Sequence, residues 1–224
     1  MSDVNLLSVD IDYCLCNNDI DDLFEVVCET ATKIQDQDNI LFAQYHVDIL
    51  DLIKKINKPL NIYNIDLHHD IFYTGDTSIP EVQNGVVSSA DWVLWALLNK
   101  RVESYTWIKQ PASEEFSEEM IETFNKAMHY CDNYGVIDSR NLLFSSKRAF
   151  SHPISQNFVK QKPKIFTNTR ALKCTQDIDF DYLFICLSPD YTPKENYFLY
   201  NMCKTAIYHI FKNRNLEKKI RQET

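Results

Sequence analysis

Glycine is scarce in this chain, which has only three among its 224 residues: Gly75, Gly85 and Gly135. Loops that cradle phosphates need several glycines at fixed spacing, as in GxGxxG or GxxxxGK. Neither pattern occurs in the sequence. This scarcity excludes the dinucleotide-binding and P-loop classes of protein.

Basic residues are outnumbered, with 23 lysines and arginines against 32 aspartates and glutamates and a net charge of −9. A nucleic-acid partner would require a basic face, so this balance argues against one. No apolar run approaches the length of a membrane span. The opening MSDVNLLSVDID also lacks the basic and long apolar regions of a signal peptide. We expect no nucleic-acid or membrane partner and a cytoplasmic location.

The chain has an odd number of cysteines and no CxxC pair, a pattern that indicates reduced thiols in a cytosolic protein. Cys14 and Cys16 lie too close together for a zinc knuckle. The seven cysteines are Cys14, Cys16, Cys28, Cys131, Cys174, Cys186 and Cys203.

Short strand-like and helix-like segments alternate along the chain. The apolar pattern predicts strands over 5–9, 39–45, 60–65, 102–108 and 181–187. It predicts helices over 20–35, 46–56, 89–100, 113–131 and 195–215, and it is weakest over 138–165. This alternation predicts an α/β fold in three layers, with a mostly parallel sheet and helices on both faces. No linker is evident, so we expect a single domain over residues 1–224.

Acidic and histidine side chains follow three of the predicted strands. Asp66, His68 and Asp70 in NIYNIDLHHDIFY are spaced by two, so they share one face of an extended chain. The carboxyl ends of parallel strands meet at one edge of a sheet, where ligands bind. The residues expected together at that edge are Asp10, Asp12, His46, Asp66, His68 and Asp70.

Four clustered carboxylates repel one another unless cations neutralise them. Two divalent ions would offset the four charges, and oxygen-rich ligands with imidazole suit manganese better than zinc. A pair of such ions can activate a shared water. Asp177, Asp179 and Asp181 have the same spacing but precede their strand. We expect them at the opposite edge.

The motifs Asp66-Leu-His68-His-Asp70 and Asp10-Ile-Asp12, with a separate His46, resemble the arginase and ureohydrolase superfamily. That resemblance implies two Mn2+ ions, one bound by His46 and Asp70 and the other by His68 and Asp12. Asp10 and Asp66 would bridge the ions and hold a shared hydroxide. Arginases carry their Asp-x-Asp late, whereas here it comes first, which implies a permuted strand order.

Within that superfamily the chain resembles the short peptide arginases. ADWVLWALLNKRVESYTWI and LSPDYTP are similar to segments of that branch, and Ala43-Gln44-Tyr45 replaces the Gly-Gly-Asp of arginases. The resemblance implies hydrolysis of arginine to ornithine and urea within a ribosomally made precursor peptide, as in natural product biosynthesis. A carboxylate must orient the guanidinium, and Asp190 and then Asp91 are the candidates.

Several alternatives stay open. A ureohydrolase acting on free arginine or another small guanidino compound would use the same ligands, whereas a single-zinc deacylase would leave Asp12 and Asp70 without a metal. A haloacid-dehalogenase-type phosphatase would use Asp10, Asp12 and Ser188, but only 36 residues follow Ser188 and they contain no Asp-Asp pair. A non-catalytic metal-binding protein of the same fold is the third class.

Overall fold

The computed structural model describes residues 4–71, 78–110, 112–113, 143–145, 175 and 178–223. Within these residues the strands form one sheet in the order β2-β6-β1-β3-β4-β5. Every pairing is parallel except that of β4 with β5. The strands are β1 (Asn5–Asp10), β2 (Ile40–Ala43), β3 (Leu60–Asp66), β4 (Val102–Lys109), β5 (Leu143–Ser145) and β6 (Tyr182–Cys186).

Five α-helices lie in the described part of the chain. They are α1 (Asn17–Lys33), α2 (Ile49–Lys55), α3 (Ile79–Gln83), α4 (Trp92–Leu98) and α5 (Tyr197–Glu223). The helix predicted over 113–131 lies outside the described residues, apart from its first residue. The helix predicted over 46–56 begins instead as a 3-10 turn over His46–Asp48. None of the described helices is long and apolar enough to cross a membrane.

Alternation along β1 sends its side chains to two separate cores. Leu6 packs in the core beneath α2 and α4. Leu7 and Val9 pack in the core beneath α1 and α5. Helices therefore cover both faces of a mostly parallel sheet, which confirms the predicted α/β architecture. Ser8 and Asp10 share the face of Leu6, so they point toward the α2 and α4 side.

The strand connections leave an open edge beside β1 and β3. The chain leaves β1 through α1 on one face of the sheet, and it reaches β3 through α2 on the other. Where connections diverge in this way, the carboxyl ends of neighbouring strands border a crevice. Asp10 and Asp66 are the last residues of these two strands.

The opposite edge of the sheet carries the acidic residues that precede β6. Asp181 accepts a hydrogen bond of 2.9 Å from the backbone N–H of Asn5 at the start of β1. The backbone carbonyl of Asp179 accepts one from the Asn5 side chain. Asp179 and Asp181 therefore lie at the amino end of β6, as predicted. Asp177 lies outside the described residues.

Candidate metal centre

The structure brings together all six side chains predicted as metal ligands. They come from the ends of β1 and β3, from the turn that follows β1, from the turn that follows β2 and from the loop that follows β3. These residues are Asp10, Asp12, His46, Asp66, His68 and Asp70. Strand-end positions thus converge on one edge because the strands that carry them are parallel.

The first group of ligand atoms surrounds Nδ1 of His46. This nitrogen lies 3.2 Å from Oδ2 of Asp10 and 3.2 Å from Oδ2 of Asp66. It lies 2.8 Å from Oδ2 of Asp70. Two atoms that bind one ion at right angles, each about 2.1 Å from it, lie about 3.0 Å apart. The separations from His46 therefore match those of neighbouring ligands on a single ion.

The second group consists of Asp12, Asp66 and His68. Nδ1 of His68 lies 2.8 Å from Oδ2 of Asp12 and 4.0 Å from Oδ1 of Asp66. Asp66 consequently directs Oδ2 toward His46 and Oδ1 toward His68. Asp66 is the carboxylate that the two groups share, whereas Asp10 belongs to the first group, and its bridging role stays a prediction.

Three residues outside the predicted ligand set donate hydrogen bonds to the carboxylates of the first group, and only Ser188 among them was named from the sequence, for the phosphatase alternative. The hydroxyl of Ser188 donates to Oδ2 of Asp10. The side-chain amide of Asn64 donates to Oδ2 of Asp66 at 3.0 Å, and the indole of Trp92 donates to Asp70 at 2.7 Å. These bonds hold the carboxylates in the orientation in which they face His46.

Burial and mutual repulsion give the carboxylates unusual proton affinities in the metal-free protein. Burial and the neighbouring Asp70 raise the pKa of Asp66 to about 7. Burial and the neighbouring Asp10 raise the pKa of Asp12 to about 8. The carboxylates of the cluster therefore ionise fully near neutral pH only if a cation compensates their negative charge.

The two histidines respond to this negative charge. Burial alone would lower the pKa of His46, but Asp70 and the other two carboxylates of its group raise it well above the usual value. The hydrogen bond that His68 donates to Asp12, together with the surrounding carboxylates, raises the pKa of His68 to about 9. The carboxylates thus stabilise a positive charge at both imidazoles. A bound metal ion would supply that charge in place of their protons.

The donor set and one buried atom fit a metal ion. His46 is 1% exposed, and its Nδ1 forms no hydrogen bond despite the three carboxylate oxygens around it. Carboxylate oxygens and imidazole nitrogens are both ligands of divalent metal ions. The residues present therefore fit a divalent cation, while manganese and a pair of ions stay predictions.

The two predicted substrate-orienting carboxylates have different surroundings. Asp91 is 0% exposed at the start of α4, where it accepts a hydrogen bond of 2.7 Å from the Ser88 hydroxyl. Asp190 is exposed in the turn after β6. The next residue, Tyr191, places its ring centroid 5.0 Å from that of His68. Asp190 is thus the solvent-facing carboxylate of the two, and both roles stay predictions.

No model of a known protein family matches this chain, and neither a curated protein nor a solved structure does. The geometry and charge of the site are therefore the observations from which its function is inferred.

Proposed function

We propose that this chain is a dinuclear-manganese hydrolase of arginase-like fold with a permuted strand order. It would convert arginine side chains to ornithine, with release of urea, within a ribosomally made precursor peptide in the cytoplasm. The observation that supports this most directly is Asp66, whose two oxygens face two separate groups of potential ligands. Such a shared carboxylate is what a pair of closely spaced ions requires.

Each ion would have its own side chains. His46 and Asp70 would hold one Mn2+ ion together with Asp10, and His68 and Asp12 would hold the other. When bound, such a pair supplies an activated water and positive charge opposite the charge that develops on the substrate. In the overall reaction, water adds to the guanidinium carbon and the bond to the side-chain nitrogen breaks. The carbon leaves as urea and the amine stays on the peptide.

The second ligand group lies on the accessible side of the site. The His68 side chain is 30% exposed, whereas that of His46 is 1% exposed. Tyr191 beside His68 is 64% exposed. A planar guanidinium can pack against an aromatic face while a carboxylate accepts its hydrogen bonds. Tyr191 and Asp190 are therefore the residues that we assign to binding the arginine side chain.

The contact between Ser188 and Asp10 is also what the phosphatase alternative expects, since it pairs a nucleophilic aspartate with a serine. That mechanism has no use for an imidazole nitrogen surrounded by three carboxylates. The convergence on His46 Nδ1 therefore favours the two-ion hydrolase. A free guanidino compound is the alternative substrate for the same site.

The test combines purified protein, Mn2+ and mass spectrometry. An arginine-containing peptide should lose the elements CH2N2, and a chelator should prevent this loss, with free arginine assayed for urea in parallel. Asp12→Asn should abolish the reaction. Asp179→Asn, which changes an exposed aspartate at the opposite edge, should not affect it.

Each other result would correct the proposal in a defined way. Urea from free arginine, without any change in the peptide, would replace the peptide with a small substrate. Tight metal binding without either reaction would indicate a non-catalytic binding protein. Failure to bind any divalent ion would contradict the metal centre itself.

A further inference from the structure

The imidazole of His46 is buried, with a hydrogen-bond partner at Nε2 and aromatic rings packed against it. Nε2 lies 2.7 Å from the hydroxyl oxygen of Ser8. The ring stacks on Phe184 with centroids 5.5 Å apart and packs on Trp92 at 5.0 Å. His46 is 1% exposed and Ser8 is 0% exposed. Both partners of this hydrogen bond are therefore shielded from bulk water.

The two ring nitrogens of His46 have different tasks. A neutral imidazole carries a single N–H, and the nitrogen without the proton is the one that can bind a metal. Nδ1 faces the three carboxylates, so it must be the unprotonated nitrogen when an ion is bound. The proton is then on Nε2, where burial requires an acceptor. The hydroxyl oxygen of Ser8 is in position to be that acceptor.

The position of Ser8 follows from the alternation of β1. Ser8 lies two residues before Asp10, and both side chains are on the same face of the strand. One strand thereby supplies a ligand to the first group and the hydrogen-bond partner of another ligand, His46. A serine is short enough to occupy this place between β1 and the ring, and it adds no charge to the cluster.

We propose that Ser8 is a positioning residue, which holds His46 with its proton on Nε2 and its Nδ1 directed at the metal centre. This inference rests on the proposed metal centre but not on the substrate. Loss of such an outer hydrogen bond typically weakens metal binding about 10- to 100-fold. The effect should appear as weaker metal affinity, because Ser8 acts through the His46 ring.

The experiment compares Ser8→Ala with a matched serine elsewhere in the sheet. Ser104 on β4 donates a hydrogen bond of 2.6 Å to the Asn61 side chain, so Ser104→Ala also removes a partly buried hydroxyl. Free Mn2+ would be followed by electron paramagnetic resonance during titration of each protein. We expect affinity about 10- to 100-fold weaker in Ser8→Ala and wild-type affinity in Ser104→Ala.

A second readout reports the proton position directly. Nitrogen-15 NMR of histidine-labelled protein loaded with diamagnetic Zn2+ distinguishes a proton on Nε2 from one on Nδ1. Wild-type His46 should carry its proton on Nε2, and in Ser8→Ala this signal should be weakened or heterogeneous. Unchanged affinity and an unchanged His46 spectrum in Ser8→Ala would overturn the role of Ser8 alone. A wild-type protein that binds no divalent ion would overturn the proposed function as well.

Discussion

The indole nitrogen of Trp92 donates a hydrogen bond of 2.7 Å to Oδ2 of Asp70, and the same oxygen lies 2.8 Å from Nδ1 of His46. The Trp92 ring also packs on the His46 ring. The backbone N–H of Val93 donates to the Asp70 carbonyl at 3.1 Å. The start of α4 therefore orients both a carboxylate and an imidazole of the first ligand group.

Trp92→Phe keeps an aromatic ring against His46 but removes the donor to Asp70. We expect Mn2+ affinity to fall about 10- to 100-fold, as for loss of other hydrogen bonds to metal ligands. Trp95→Phe is the matched control, because Trp95 lies on the same helix and is also buried. Titration with Mn2+ checks both proteins. Equal affinities for the two variants would contradict the assigned role of the indole.

Asp70→Asn separates the charge of this residue from its backbone conformation. Asp70 has φ 51°, a left-handed conformation that asparagine adopts more readily than alanine. In chelator we expect the Asn variant to be about as stable as wild type, because the lost repulsion with Asp66 and the lost attraction to His46 oppose each other. Asp70→Ala should lose about 1 kcal/mol or more through backbone strain.

Metal binding should respond differently to the same substitutions. Both Asp70 variants should bind Mn2+ more weakly than wild type. The loss of affinity should exceed the roughly 10- to 100-fold that follows loss of a supporting hydrogen bond. Thermal unfolding in chelator and Mn2+ titration measure the two properties on the same samples. Wild-type affinity in Asp70→Asn would show that this carboxylate is not a ligand.

The stability of the metal-free protein should fall as pH rises. The pKa values of Asp66 and Asp12 are raised to about 7 and about 8 by burial and neighbouring carboxylates, so the folded state retains protons that the unfolded chain has lost. The pKa of His68 is raised to about 9, first by its hydrogen bond with Asp12, which adds a loss in the same direction. Burial lowers the pKa of His69 to about 3, but that opposing effect lies below its ordinary pKa of 6.5.

The informative interval is therefore pH 6.5 to 9, bounded by the ordinary pKa of a histidine and the raised pKa of His68. Unfolding temperatures should decrease across it in chelator, by about 2–4 °C for each kcal/mol lost in a chain of this size. With Mn2+ the trend should reverse, since metal ions replace the bound protons and bind more tightly as pH rises. A metal-free unfolding temperature that increases across the interval would contradict the raised pKa values of the cluster.

Strand-end positions made the clustering of the six acidic and histidine side chains predictable from sequence. Asp10 and Asp66 close apolar strands, and parallel strands bring such ends to one edge. The same alternation places Ser8 two residues before Asp10 and Asn64 two residues before Asp66, on the ligand-bearing faces. The strand alternation alone therefore places these two supporting residues beside the cluster.

Contacts that depend on strand order were not predictable. Ser188 reaches Asp10 across 178 positions of sequence, because β6 pairs with β1 and not with its nearest predecessor in the chain. No local pattern specifies that neighbour. The antiparallel strand β5 has only three residues, Leu143–Ser145, and falls where the apolar pattern is weakest. Its short length gives too little alternation to detect.

Tyr191 should determine how tightly the substrate binds, with little effect on the metal ions. Its exposed ring stands beside His68, and the backbone N–H of Tyr191 donates to the Ser188 carbonyl at 3.0 Å. This turn is itself anchored through the Ser188 hydroxyl to Asp10. The ring is thus held at the accessible side of the second ligand group, where a guanidinium would pack against it.

Tyr191→Leu removes the aromatic face and keeps an apolar side chain. We expect KM for an arginine-containing peptide to rise about 2- to 30-fold, which corresponds to the roughly 0.5–2 kcal/mol of a cation–π contact. The kcat and the Mn2+ affinity should stay near wild type. Tyr208→Leu, at an exposed tyrosine on α5, is the matched control. A fall in kcat at unchanged KM would instead assign Tyr191 to the chemical step, because uniform binding of substrate and transition state affects KM alone.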